Sequence, residues 1–227
     1  MASNNKRKAK KIGVKRTEPI RYDQILIVTE DTKSSVEYLK VLWAKLSKDK
    51  CKALQESVKI YPSHEGSSPD RVLGSAENKN EEMDGFDEIY CVMDVDSHQL
   101  LNSTLQKIRS KSFRTRGFQA IVSNPCFEYW ILLHSDESDA PFNRKGKKSP
   151  CDCVQDKIKK NKNHAFNKYQ KGSDFDWRCA LSKIEQAQTR AISRSERILG
   201  AQNPEDVNPS TNFHCLINRL IQQSSLS

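Results

Sequence analysis

Two short runs of consecutive apolar residues, each closed by an acid, set the tightest limits on this chain. Ile25 to Thr29 (ILIVT) leads into Glu30, and Ile89 to Met93 (IYCVM) leads into Asp94-Val95-Asp96. A strand that is wet on one face alternates apolar and polar residues. A run apolar at every position belongs to a strand covered on both faces, as in a parallel sheet. Parallel neighbours need a crossover of a dozen or more residues, usually a helix. Residues 34–48 supply one, with Val36, Leu39, Leu42, Trp43 and Leu46 at three- and four-residue steps and Ser34 or Ser35 as N-cap. A short strand fits Ser57 to Tyr61, and the polar stretch 63–85 reads as a long loop with a helical turn. A helix on Leu100, Leu101, Leu105 and Ile108 fits 98–111, and a third strong strand fits Phe118 to Val122. Strand, helix and strand at this spacing predict βαβ units, hence an α/β fold with a mostly parallel sheet and flanking helices.

Beyond the third strand the pattern turns helical. Asn124-Pro125 opens a short apolar helix over 126–134, and further helices are expected within 150–162, at 176–198 and at 209–223. The last two carry apolar stripes, Ala180, Leu181, Ile184, Ala187, Ala191 and Phe213, Leu216, Ile217, Leu220, Ile221. The expected organisation is a flexible basic arm (1–20), an α/β core (21–135), and a basic loop with a helical extension packed on that core (136–227).

Charge is distributed unevenly. Residues 1–16 hold seven bases and no acid, and residues 141–171 hold ten bases against two acids. These arms carry +15 and the rest of the 227-residue chain −6 of the net +9. An acidic body with basic arms suits a polyanion. The seven cysteines lack the even spacing of a disulfide framework, so a reducing cytoplasm is the simpler compartment. No apolar run has the length of a membrane span, and no apolar segment follows the basic start as in a secretory signal.

The acids are placed for chemistry. In open α/β sheets ligands bind outside the carboxyl ends of the strands, where Glu30, Asp94 and Asp96 fall. Asp94 and Asp96 share a face if the strand persists that far. Two carboxylates about 4 Å apart repel by about 4 kcal/mol at an effective dielectric near 20. A divalent cation removes that cost, and oxygen-only ligation suits Mg²⁺ or Mn²⁺, whose chemistry includes phosphodiester attack. The same acids also serve as helix caps or solvated loop residues in many proteins.

Through ILIVTEDTKSSVEYLK, IYCVMDVDSH, AIVSNPCFEYWILLH, Lys168-Tyr169-Gln170-Lys171 and NPSTNFHCLINRL the chain resembles the RloB family, bacterial proteins found near phage-defence genes and regarded as Toprim-like. The resemblance implies a Toprim-like sheet with a C-terminal helical extension. It also implies a Mg²⁺-dependent nuclease in which Glu30, Asp94 and Asp96 hold the metal and act in catalysis. Asn124-Pro125-Cys126-Phe127-Glu128-x-Trp130 looks like the family's Asn-Pro-x-Phe-Glu-x-Trp motif. There Glu128 serves as an extra ligand or general base, or else favours the helix N-terminus electrostatically, while Trp130 packs. One departure is Asp31, where the family pattern has Gly; a side chain there crowds the backbone or adds a ligand.

Expected contacts to DNA or RNA fall on Lys33, Asn124, Arg144, Lys145, Lys147, Lys148, Lys168 and Lys171. Phe166 and Tyr169, interspersed among these bases, are candidates for base stacking. His98 is a weaker candidate as proton donor. Cys151-x-Cys153 with His164 and Cys179 departs from zinc-knuckle spacing. No P-loop, dinucleotide fingerprint or nucleophile elbow occurs. The competing expectation is a non-catalytic binding or sensor subunit that uses the same fold to recognise a nucleic acid or a defence-system partner protein.

Overall fold

The computed structural model describes residues 20–63, 66, 68–83, 85–95, 100–114, 117–136, 139–162, 166–172, 174–182 and 185–226. The basic arm up to residue 19, Asp96, His98, His164 and Ile184 lie outside the described residues. Strand β1 (Ile25–Thr29) is followed by helices α1 (Ser34–Leu46) and α2 (Lys52–Glu56) and strand β2 (Val58–Pro62). Helix α3 (Pro69–Met83), β3 (Glu88–Asp94), α4 (Leu101–Arg114) and β4 (Phe118–Asn124) complete the α/β part. Then come α5 (Glu128–Leu132), α6 (Pro150–Lys160), α7 (Trp177–Ser182), α8 (Glu185–Leu199), a 3₁₀ turn at Pro204–Asp206, β5 (Ser210–Thr211) and α9 (Phe213–Ser224). The sheet order is β2-β1-β3-β4-β5, parallel except for the antiparallel edge strand β5. The chain is therefore α/β with a mostly parallel five-stranded sheet, a Toprim-like arrangement.

Strand order dictates which helix covers which face. The step from β1 to β2 runs one way along the sheet, and the steps from β2 past β1 to β3 and on to β4 run the other way. Right-handed crossovers then put α1 on one face and α3 and α4 on the opposite one. Alternation along the strands divides the core to match. Ile25, Ile27, Tyr90, Val92 and Ile121 pack with α1 and the helical extension, whereas Leu26, Val28, Ile89, Cys91, Met93 and Val122 pack with α3 and α4. All five β1 residues are buried, as the unbroken apolar run requires. The first face holds most of the aromatic mass, including Tyr38, Phe127, Trp130, Phe166, Trp177 and Phe213. Each large apolar side chain so buried contributes about 1.5 to 3 kcal/mol. Trp130 is core, and its indole N–H donates to Tyr38 at 3.0 Å.

Several expectations are corrected. The stretch 63–85 is no long loop: α3 occupies most of it. Its polar composition hides the helix, but Pro69 is at the first position and Val72, Leu73 and Ala76 are buried against the sheet. The helix expected from 209 begins at Phe213, because Ser210–Thr211 pair with Asn124 and Ser123 as an edge strand. Leu100 and Ile221 are exposed rather than core. Neither Ser34 nor Ser35 caps α1. The Asp31 carboxylate instead accepts the backbone N–H of Lys33 (2.9 Å) and of Ser35 (3.0 Å) and the Ser35 hydroxyl. The cysteines also include a bonded pair, since Cys126 is joined to Cys151 across the α5–α6 contact.

Candidate functional site

Strands β1 and β3 are neighbours from which the chain leaves in opposite directions, so the crevice at their carboxyl ends is the topological switch point. Glu30 and Asp94 meet there. The Glu30 N–H continues the ladder to the Val92 carbonyl (2.9 Å), and Glu30 Oε2 accepts the Asp94 N–H (2.9 Å). Asp94 Oδ1 in turn accepts the N–H of Phe127 (2.9 Å), which ties the end of β3 to the turn entering α5. Glu128, the first residue of α5, is 1% exposed. Its Oε1 accepts the Tyr169 hydroxyl (2.9 Å), which also contacts Ser34 Oγ (2.7 Å), and Lys171 Nζ stands 3.9 Å from Oε2.

The electrostatics are those of crowded carboxylates. Desolvation pushes the Asp94 carboxyl well above its ordinary 3.8, the nearby Glu128, Glu30 and Asp31 charges push it further, and Lys171 opposes them. Burial likewise raises Glu128, against the pull of Lys171 and the Tyr169 hydrogen bond. Such crowding is what a divalent cation relieves, and the donors are all oxygen. Mg²⁺ takes one or two carboxylates and completes its shell with waters and phosphates, so Glu30 and Asp94 are the residues that could hold one here. Among the described residues Glu30, Asp94 and Glu128 do not close into one triad at ligand distance.

Other candidate residues are dispersed. Lys33 Nζ donates to the Gly172 carbonyl (3.2 Å) and lies 3.5 Å from Asp174, so it fastens the strap 166–172 beside the acids. The Asn124 side-chain amide donates to the Glu205 carbonyl at 3.5 Å, in the 3₁₀ turn. Arg144, Lys145, Lys147 and Lys148 line an exposed tight turn closed by the Lys145–Lys148 bridge, with Lys148 paired to Asp156. Lys168 and Lys171 are exposed on the strap. Base stacking by Phe166 and Tyr169 is overturned, because both side chains are buried in the aromatic core at 0% and 1% exposure. Cys151 is bonded to Cys126 while Cys153 Sγ faces the Asn143 carbonyl, so the two do not act as a zinc pair. Sequence reasoning missed Tyr169 as a support for Glu128. Its place two residues before Lys171, within a polar strap, was the available signal. A cavity of about 1210 Å³ opens at the other end of the sheet, where Arg219 is paired with Asp23 and Glu88; it does not include the acids.

Fold and site together define an α/β protein with a Toprim-like sheet and a carboxylate cluster at its switch point. More narrowly, the chain belongs to the family described as RloB-like protein, whose model matches residues 25–220. No curated protein and no solved structure is significantly similar to it.

Proposed function

We propose that the chain is a Mg²⁺- or Mn²⁺-dependent nuclease that cuts phosphodiester bonds of DNA or RNA, in the anti-phage setting its family resemblance implies. The observation that carries this reading is the meeting of Glu30 and Asp94 at the switch point, with the Asp94 carboxyl raised by burial and by its acidic neighbours. A divalent cation bound there would supply charge neutralisation at the phosphate and an activated water. Glu30 and Asp94 hold fixed orientations, each through a backbone N–H. Glu128, raised by burial and steadied by Tyr169, takes the proton from the attacking water, and a raised carboxyl suits a base working nearer neutrality. Lys171, next to Glu128, faces the phosphate charge. The exposed turn 144–148 grips the polyanion further along. The Asp31 side chain, where the family pattern has Gly, is engaged as the anchor of α1.

The direct test is cleavage of plasmid, single-stranded DNA and tRNA with Mg²⁺ or Mn²⁺ and with EDTA. Cation-dependent cutting that disappears in the Glu30→Gln, Asp94→Asn double variant is expected. Wild-type protein that cuts none of them, or a double variant that cuts as well, overturns the reading.

A further inference from the structure

A second cluster adjoins the first and differs from it in chemistry. Cys126 Sγ, Cys151 Sγ and a Glu128 carboxylate oxygen lie within 4.8 Å of one another, and all three residues are buried. Cys126 sits just ahead of α5, and Cys151 is the second residue of α6, whose start is locked by a capping box between Ser149 and Asp152. The two Cα atoms are 6.0 Å apart, so both sulfurs project from anchored backbone into one space. Glu128 Oε2 is buried without a hydrogen bond, although Lys171 stands 3.9 Å away, while Oε1 is taken by Tyr169. A buried carboxylate oxygen without a hydrogen-bond donor beside two sulfurs is an unusual expense unless something occupies the space between them.

We propose that, once the Cys126–Cys151 bond is reduced, the two thiolates and Glu128 bind one divalent cation of the zinc class. Reduction by an external dithiol breaks the S–S bond, transfers two electrons and two protons to the sulfurs, and leaves the reductant as its own disulfide. Cation binding then displaces the thiol protons to solvent. Zinc binds thiolate at about 2.3 Å and carboxylate at about 2.0 Å, so around a tetrahedral ion two such donors stand about 3.5 to 3.8 Å apart. The three donor atoms already share one space, within 4.8 Å of one another, and the sulfurs have to part from bonding distance to reach that spacing. Thiolate donors favour zinc-class ions over Mg²⁺, which separates this site from the all-oxygen pair Glu30 and Asp94. Three protein donors match zinc sites that keep a position open. The disulfide and the ion exclude each other, because a sulfur bonded to sulfur has no thiolate to offer.

The test uses full-length protein reduced with a phosphine and titrated with Co²⁺ as a coloured substitute for zinc. One equivalent should produce a near-ultraviolet thiolate-to-cobalt band, release about two protons per ion, and be displaced by Zn²⁺. The band should vanish in Cys126→Ser and in Cys151→Ser and persist in Cys153→Ser. Glu128→Gln should weaken binding at least about tenfold, the loss that outer-shell partners alone can cause. Wild-type protein left oxidised has an unaltered sequence and should give no band, which guards against misfolded variants. A reduced wild type without the band, or a band equally strong in the oxidised protein or in Cys126→Ser, overturns the proposal. The readout is absorbance, so it stands or fails whether or not the chain cuts nucleic acid.

Discussion

At the scale of single residues, Asp94 and Glu128 give the molecule a pH signature. Both carboxyls are raised above their ordinary values of 3.8 and 4.5 in the folded chain. Between the ordinary and the raised values the folded state therefore binds more protons than the unfolded one, and stability falls as pH rises through that window. In EDTA the thermal midpoint should decline from pH 5 towards pH 8, and Asp94→Asn should flatten the decline. Mn²⁺ should restore the midpoint at the upper end by binding the ionised folded form. Tyr169 is testable separately. Removing its hydroxyl in Tyr169→Phe should cost about 0.5 to 1.5 kcal/mol in denaturant unfolding. It should also shift the rising limb of the cleavage pH profile to higher pH, because that hydrogen bond holds Glu128 down. Glu30 and Asp94 were legible because a strand's apolar run points to whatever ends it. Tyr169 was not, because a tyrosine among lysines has the same composition whether it stacks on bases or turns into the core.

At the scale of elements, the start of α1 shows how a departure from a family pattern is absorbed. Asp31 receives two backbone N–H groups at the first turn, the service an N-cap side chain normally provides, from two positions earlier in the chain. Asp31→Ala should destabilise the fold by about 0.5 to 2 kcal/mol, measured by urea unfolding. Asp31→Gly should lose the same bonds even though it matches the family pattern. The strands and α1 could be read from sequence because periodicity and burial coincide in them. Helix α3 could not, since only Val72, Leu73 and Ala76 announce an apolar side. It exists because the sheet offers that side a surface. Edge strand β5 is two residues long, below any periodic signal, and is fixed by its pairing with β4.

For the whole molecule, the partition of charge governs how a polyanion is held. Arg144, Lys145 and Lys147 are exposed together at one turn, whereas Lys148 is partly spent on Asp156. Replacing the first three with alanine should lower the slope of log affinity against log salt by about 3, near one for each phosphate no longer neutralised. Lys148→Ala should change it less; fluorescence anisotropy on labelled oligonucleotides at several salt concentrations reads both. The last helix bears on the order of events in time. Gln223 donates to the Asp23 carbonyl (2.9 Å) and Arg219 reaches Asp23 and Glu88, so α9 returns to the approach to β1 and packs on the same core as α1. A chain still on the ribosome that has only reached β4 already contains Glu30 and Asp94 but has no Tyr169, no Lys171 and no cover for α1. Assembly of the acidic edge thus waits until the chain through α9 has been translated. Copies that end just after α6 would be born without Tyr169 and Lys171 beside the acids.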